Sequence, residues 1–278
     1  MNWLLIDEFI KSALKEDIPY GDVTTNSIVN EKDKSIVDLI AKEEGIIAGI
    51  NVFERVFHFV GEVDVDFLVQ DGDKVKKGEV IGHIKGSTRA ILTGERTALN
   101  YLQRMSGIAT LTKKFVDELQ GTNAKLLDTR KTTPNMRVFE KYAVKIGGGV
   151  NHRYNLSDGV LIKDNHIDAA GGIKNAIELV RKNASFVRKI EVEVENFQQL
   201  QEALEAKADI IMLDNMTAEN MKKAVSIING RAITEASGNI TLDNIKEKAE
   251  SGVDYISTGA TTHSHKALDL SMKNLKRL

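Results

Sequence analysis

The sequence predicts an α/β protein: an incomplete TIM-like α/β barrel of six to seven strands, joined to an N-terminal α+β sandwich domain. Three observations lead there. Beyond residue 124, strand-like apolar runs recur six times, and most of the segments between them can carry a helix. That rhythm implies right-handed βαβ crossovers and a parallel sheet. No GxGxxG turn follows a strand where a dinucleotide-binding sheet would need one, which favours a barrel over an open nucleotide fold. From 35 to 92 the texture is different, with short alternating runs cut by Gly and Asp, as expected of an α+β region. The expected domains are 1–110 and 111–267, with the tail 268–278 packing back on the first.

The elements follow in order. Residues 3–15 place Leu4, Leu5, Phe9, Ala13 and Leu14 near helical spacing, and the helix must stop before Pro19, because the residue preceding a proline is pushed out of the helical region. The runs IVDLIAKEEGIIAGI and VDVDFLVQDGDKVKKGEVIGHIKG read as strands. Within them, residues 71–86 are similar to half of a biotinyl/lipoyl-type β module. The segment lacks a carrier lysine between paired methionines, so it reads as a structural pair of turns. Residues 93–120 carry Ala98, Leu102 and Met105, then Leu111, Phe115 and Leu119, at helical spacing, and Gly107 is expected to separate two helices. Arg96, Asn100 and Arg104 share one polar face of the first. The barrel strands are AKLLD, GVLIK, KIEVEVE, ADIIMLD, AITEAS and VDYISTG, with LDLSM as a candidate seventh.

Composition narrows the function. The 278 residues carry 38 Lys+Arg against 40 Asp+Glu, a net charge of -2 that disfavours a nucleic-acid binder relying on a basic surface. With no cysteine, thiolate nucleophiles, disulfides, Fe–S clusters and Cys-type zinc sites are excluded. No segment reaches the ~20 apolar residues of a membrane span, and the acidic start lacks the order of a signal peptide, so the expected location is the cytoplasm.

Barrel enzymes gather their catalytic groups where the strands end. Here those ends are Asp128-Thr129-Arg130-Lys131, Lys163-Asp164-Asn165-His166, Glu191/Glu193/Glu195, Asp214-Asn215, Glu235-Ala236-Ser237-Gly238-Asn239 and Ser257-Thr258-Gly259-Ala260. Side chains alternate along a strand, so the three glutamates of IEVEVE share one face and Ile190, Val192 and Val194 the other. The apolar set belongs against the helices, which turns the glutamates inward. There they either pair with barrel cations or, in the case of Glu193 with Asp214, hold a divalent metal such as Mg2+. Arg130, Lys131, His152, Arg153 and Lys163 come from consecutive units and form a cup suited to anions. Ser237-Gly238-Asn239 and Thr258-Gly259-Ala260 offer glycine turns that let backbone amides approach a phosphate. Gly147 to Gly149 either line the same site or form a helix C-cap.

These segments resemble a known family. DTRKTTPNMR, KIGGGVNHRYNLSDGVLIKDNHI, EVEVEN, IMLDN, EASGNI and STGATTHS, with EDIPYGDVTT near the start, are similar to quinolinate phosphoribosyltransferase, in order from about 16 to 272. The resemblance implies transfer from phosphoribosyl pyrophosphate to quinolinate with decarboxylation, giving nicotinate mononucleotide in the de novo route to NAD. It implies that Arg130, His152 and Arg153 hold the two quinolinate carboxylates, with Arg96 supplied by the neighbouring subunit of a homodimer. Thr129 lies in the same motif as a substrate-binding position. Lys131 and Lys163 would bind the donor and pyrophosphate, and Glu193 and Asp214 would face the ribose hydroxyls and Mg2+. The two glycine turns would hold the 5-phosphate. The alternatives are a related transferase acting on another aromatic acid, a Schiff-base lyase using Lys163, and a carrier module built on 71–86.

The near-zero total charge conceals two opposed regions. Residues 128–163 hold seven Lys/Arg and three Asp/Glu, whereas 186–219 hold three and eight. A barrel with a basic side for anionic substrates and an acidic side for ribose and metal would have that split.

Overall fold

A computed structural model describes residues 1–278. The first elements are α1 (Trp3–Asp17), α2 (Val23–Ile28), β1 (Lys34–Ala41), β2 (Gly45–Ile46), α3 (Ile50–Val60), β3 (Val63–Phe67), β4 (Lys74–Val75), β5 (Val80–Ser87) and α4 (Thr88–Glu118). Next come β6 (Lys125–Leu127), α5 (Arg137–Ile146), β7 (Val160–Ile162), α6 (Asp164–Ala170), α7 (Ile173–Asn183), β8 (Ile190–Val194), α8 (Phe197–Glu205) and β9 (Ile210–Asp214). The chain ends with α9 (Ala218–Ile228), β10 (Ile233–Ser237), α10 (Ile245–Ala249), β11 (Tyr255–Ser257), α11 (Ala260–His263) and β12 (Leu270–Arg277). They fall into two compact units: Met1–Lys113 with Thr133–Gly148 and Ser264–Leu278, and Lys114–Thr132 with Gly149–His263.

The first unit is built on an antiparallel sheet of order β12-β1-β5-β3. Along β1, buried positions alternate with less buried ones, so Val37, Leu39 and Ala41 share the face that meets the core. In α1 the buried stripe is Ile6, Ile10 and Leu14, spaced four apart, while Leu4 is 86% exposed and Leu5 40%. The expected face was therefore rotated: Phe9 and Ala13 flank the core and the two N-terminal leucines leave it. The helix ends as Ile18 donates its N–H to the Leu14 carbonyl, just ahead of Pro19. Helix α3 lies in a stretch that the sequence reading treated as strand-like, and it buries Val52, Phe53, Val56 and Phe57 at helical spacing. Phe53 meets Phe57 edge-on at 5.2 Å and Phe67 at 5.5 Å between ring centroids.

Two further expectations are corrected here. Gly107 does not divide α4, which runs unbroken for 31 residues. A Cβ on Gly107 would lie 2.1 Å from the Lys266 carbonyl oxygen, so this glycine lets the two backbones approach rather than ending a helix. The LDLSM run is not a barrel strand. It forms β12, antiparallel to β1 with Leu270 opposite Ala41 and Met272 opposite Leu39. Helix α5 also belongs to this unit, its Phe139 ring centroid 4.8 Å from that of Tyr101.

The second unit is a six-stranded, wholly parallel sheet of order β6-β11-β10-β9-β8-β7. All six expected barrel strands are present. Consecutive strands β6 and β7 sit at opposite edges, and Val150 makes one isolated parallel bridge to Leu127 on the outer side of β6. This is an incomplete TIM-like barrel, with a single bridge where a seventh strand would run. Val192 and Val194 of β8 and Ile211 and Leu213 of β9 are fully buried, as are Leu200 and Ala203 of α8 and Met221, Ala224 and Ile228 of α9. Caps set the helix starts: Asn196 accepts from the Gln199 N–H and Thr217 from the Asn220 N–H. No helix is long and apolar enough to cross a membrane.

Candidate active site

The site is built in the second unit from residues at the C-terminal ends of its strands. After β6, Asp128 is fully buried; its carboxylate accepts the His152 N–H at 2.9 Å and the Asn151 side-chain amide at 2.6 Å. The loop that follows presents Thr129, Arg130 and Lys131, with the Lys131 N–H donating to Thr129 Oγ1 at 3.0 Å and both cations exposed.

The three glutamates of β8 separate by depth. Glu191 is 3% exposed, Glu193 is half-buried and Glu195, one residue beyond the strand, is exposed. The expectation of three inward carboxylates therefore holds in depth only for the first two, because the strand ends at Val194. Glu193 Oε2 pairs with Lys163 Nζ. Asp214, at the end of the adjacent β9, has its carboxyl pushed above the ordinary range by burial and then by the charge of Glu193, with Lys163 acting in the opposite sense. Lys163, Glu193 and Asp214 thus form one electrostatic group.

Deeper in the barrel, His152 Nε2 lies 3.1 Å from Glu191 Oε2 and 3.4 Å from Glu235 Oε2. Burial opposes a charge on this ring, but hydrogen bonds to Glu191 and Glu235 and their charges outweigh it and raise its pKa to about 10. On the other side of the ring, the Arg153 backbone N–H donates to Nδ1 at 2.6 Å. Burial, followed by the neighbouring charge of Arg130, lowers the Arg153 pKa, and its guanidinium donates to the Gly159 carbonyl at 3.2 Å.

The glycine turns are shaped by close approach. Gly238 sits at φ +89, and a Cβ there would lie 2.2 Å from Asn215 Oδ1. Asn215 in turn accepts from the Asn239 side chain at 3.1 Å and donates to Asp214 at 2.5 Å, tying the end of β9 to the turn after β10. A Cβ on Gly259 would meet Lys131 and His263 side-chain atoms, each at 2.9 Å. Thr258 donates to the Ile240 carbonyl and accepts from the Ala260 N–H.

Lys131, Lys163, Glu193, Asp214, Arg130 and the 237–239 and 258–260 turns therefore lie at strand ends of one unit, whereas His152 and Arg153 lie in the same unit in the loop that precedes β7. Arg96 lies in the first unit, exposed on α4. Gly147 and Gly148 donate their N–H groups to the Ala143 and Lys145 carbonyls, and a Cβ on Gly147 would lie 2.5 Å from the Ala109 carbonyl oxygen. They serve the end of α5 rather than presenting amides to a ligand.

The sequence reading missed Lys248, whose Nζ donates to the Gly238 carbonyl at 2.9 Å and whose pKa is lowered by burial. It also missed His263 beside Gly259 and the pairing of Glu235 with His152. Helical spacing on α10 gave no sign of the first. The other two stood within quoted motifs but needed the fold to bring their partners close.

Comparison with known proteins gives the family. Residues 22–106 match the quinolinate phosphoribosyl transferase N-terminal domain and 108–273 the C-terminal domain. A probable nicotinate-nucleotide pyrophosphorylase [carboxylating] of Bacillus subtilis (strain 168) is 44% identical over 273 residues, covering 98% of this chain and 94% of that protein. The crystal structure of NadC from Streptococcus pyogenes superposes with a TM-score of 0.97 at 47% identity, covering 100% of this chain and 99% of that one. The nicotinate-nucleotide pyrophosphorylase from Francisella tularensis gives 0.93 at 42%, covering 100% and 98%. The chain belongs to the quinolinate phosphoribosyl transferase family.

Proposed function

We propose that the protein transfers the phosphoribosyl group of phosphoribosyl pyrophosphate to quinolinate with decarboxylation, giving nicotinate mononucleotide, pyrophosphate and carbon dioxide. The observation that carries this is that one barrel unit, in a chain of this family, gathers the cations Arg130, Lys131 and Arg153 together with Lys163, which pairs with Glu193 next to Asp214. A dianionic acid and a polyanionic donor repel one another, so joining them needs fixed cations that orient both and neutralise the departing pyrophosphate. Arg130 and Arg153 present planar forks for the two carboxylates, with His152 and Thr129 beside them; Lys131 and Lys163 present point charges for phosphate oxygens.

In the transfer, the ring nitrogen of quinolinate forms a bond to the anomeric carbon while the bond from that carbon to pyrophosphate breaks. Glu193 and Asp214 take the role of carboxylates below the sugar, which stabilise positive charge developing at that carbon, as in glycoside chemistry. Ser237-Gly238-Asn239 and Thr258-Gly259-Ala260 hold the 5-phosphate. Loss of carbon dioxide follows, its electron pair drawn into the quaternised ring, and a proton then replaces the carboxylate.

Glu193 and Asp214 also fit Mg2+. They are hard oxygen donors, and burial and then the charge of Glu193 raise the Asp214 pKa, the second being a repulsion that a divalent cation would relieve. Bound there, the ion supplies neutralisation of pyrophosphate charge. Lys163 donates its ammonium to Glu193, an arrangement suited to an electrostatic role and unlike the neutral amine a Schiff-base lyase needs. The expected setting is the cytoplasm, as a homodimer.

An assay supplying phosphoribosyl pyrophosphate, Mg2+ and either quinolinate or nicotinate tests the substrate. Nicotinate mononucleotide is expected from quinolinate; turnover of nicotinate alone would refute the assignment. The dimer reading has its own test. Arg96→Ala and Lys163→Ala proteins, each inactive alone, should regain activity when mixed and allowed to exchange subunits, and no recovery after demonstrated exchange would show that Arg96 does not complete a neighbouring site.

A further inference from the structure

The turn after β10 has each of its successive carbonyls held by a different residue. The Ser237 carbonyl accepts the Asn215 N–H at 3.0 Å and the Gly238 carbonyl accepts Lys248 Nζ at 2.9 Å. The Asn239 carbonyl accepts the Asn244 side-chain amide at 2.8 Å, and the Ile240 carbonyl accepts Thr258 Oγ1 at 3.3 Å. In a planar trans peptide the C=O and the following N–H point in opposite directions. The N–H groups of Gly238, Asn239 and Ile240 are therefore turned away from the groups that hold the carbonyls, and none of the three donates within the chain. Gly238 and Asn239 both lie at positive φ, 89° and 50°, a conformation that needs support.

Two of the four holders belong to α10. Asn244 precedes the helix, and Lys248 stands one turn further on. Asn244 spends its side chain on the turn rather than on capping its own helix, since its Oδ1 accepts the Thr241 N–H at 2.9 Å. Lys248 is half-buried, and burial lowers its pKa while the charges of Asp214 and Glu247 act in the opposite sense. Taking an ammonium partly out of water is costly, yet at the adjacent carbonyl a neutral amide serves. The charge adds polarisation: a cation on the Gly238 oxygen strengthens the Asn239 N–H of the same peptide as a donor.

We propose that Lys248 and Asn244 are positioning residues for the 5-phosphate of the donor: by holding the Gly238 and Asn239 carbonyls, they aim the Asn239 and Ile240 N–H groups at its oxygens. Consecutive amides turned the same way form an anion-binding concavity. This rests on the assignment of the 237–239 turn to the 5-phosphate, and adds to it two side chains that act through the backbone without touching substrate.

The test uses the full-length protein with ribose 5-phosphate as the probe. Lys248→Met keeps the aliphatic stem and removes the ammonium. It should weaken ribose 5-phosphate binding on the order of tenfold, with quinolinate binding and the unfolding midpoint unchanged. Lys246→Met removes an exposed charge from the same helix and should leave both ligands unaffected. Equal weakening of the two ligands by Lys248→Met, no weakening of ribose 5-phosphate, or the same loss in Lys246→Met would overturn the proposal. If Lys248→Met does not fold, Asn244→Ala decides through the second carbonyl, with the same selective loss expected.

A second readout follows the peptide itself. Gly238–Asn239 is the one Gly–Asn pair in the sequence, so 13C-carbonyl glycine with 15N-asparagine labels a single peptide doubly. Ribose 5-phosphate should shift its N–H signal, while the carbonyl signal stays distinct from that of Lys248→Met. A carbonyl that moves to the variant's position would show the ammonium leaving the turn for the phosphate, and would overturn the proposal. Neither readout requires turnover. A wild type that binds ribose 5-phosphate through this peptide but fails to use quinolinate would refute the functional reading and uphold this one; a wild type that does not bind ribose 5-phosphate would overturn this one.

Discussion

Lys163→Ala should lower kcat/KM for phosphoribosyl pyrophosphate by about 10²- to 10³-fold, the loss typical when one preorganised donor to developing charge is removed. Lys163 extends from the end of β7 to Glu193, and its side chain is 43% accessible, so the substitution removes the cation proposed to bind the donor without opening the core. The unfolding midpoint should therefore stay close to that of the wild type. A variant retaining activity within threefold would remove Lys163 from the machinery. Loss of activity matched by loss of folded protein would instead make the Lys163–Glu193 pair structural.

Arg104→Ala should destabilise the first unit by about 3–5 kcal/mol, the range for stranding one member of a buried ion pair. Glu140 on α5 is fully buried, and its Oε1 accepts from Arg104 Nε at 3.1 Å and from the terminal guanidinium nitrogen at 2.6 Å. The same guanidinium nitrogen donates to Thr133 Oγ1 at 2.6 Å, and the Thr133 N–H reaches Glu140 Oε2 at 3.2 Å, so three residues share the network. Urea unfolding measures the effect. The double variant Arg104→Met with Glu140→Leu should recover most of the loss, because it leaves no charge unpaired. A loss below 1 kcal/mol for Arg104→Ala would mean that water reaches Glu140.

Arg104 also shows the limit of sequence reading. Its spacing from Arg96 and Asn100 marks a polar helix face, yet the partner that makes it structural lies 36 positions away and is brought close only by packing. The β8 strand was legible for the opposite reason. Strict alternation in IEVEV fixes which side chains are inward, and the buried valines and Glu191 follow. Helix α3 escaped notice because a short apolar run bounded by glycines fits a strand as well as a helix. Gly107 was misread because local signals treat glycine as a breaker, whereas here it meets the Lys266 backbone from far along the chain. The basic and acidic strand ends were visible as residue types. The depth that separates Glu191 from Glu193, and couples one to His152 and the other to Lys163, belongs to the fold.

The central claim is that one site both transfers the phosphoribosyl group and releases the carboxylate. Its most direct measurement is product stoichiometry, with quinolinate labelled in the 2-carboxylate and supplied with phosphoribosyl pyrophosphate and Mg2+. Labelled carbon dioxide, pyrophosphate and nicotinate mononucleotide should form in equal amounts. Pyrophosphate without labelled carbon dioxide, or a mononucleotide that retains the label, would contradict it.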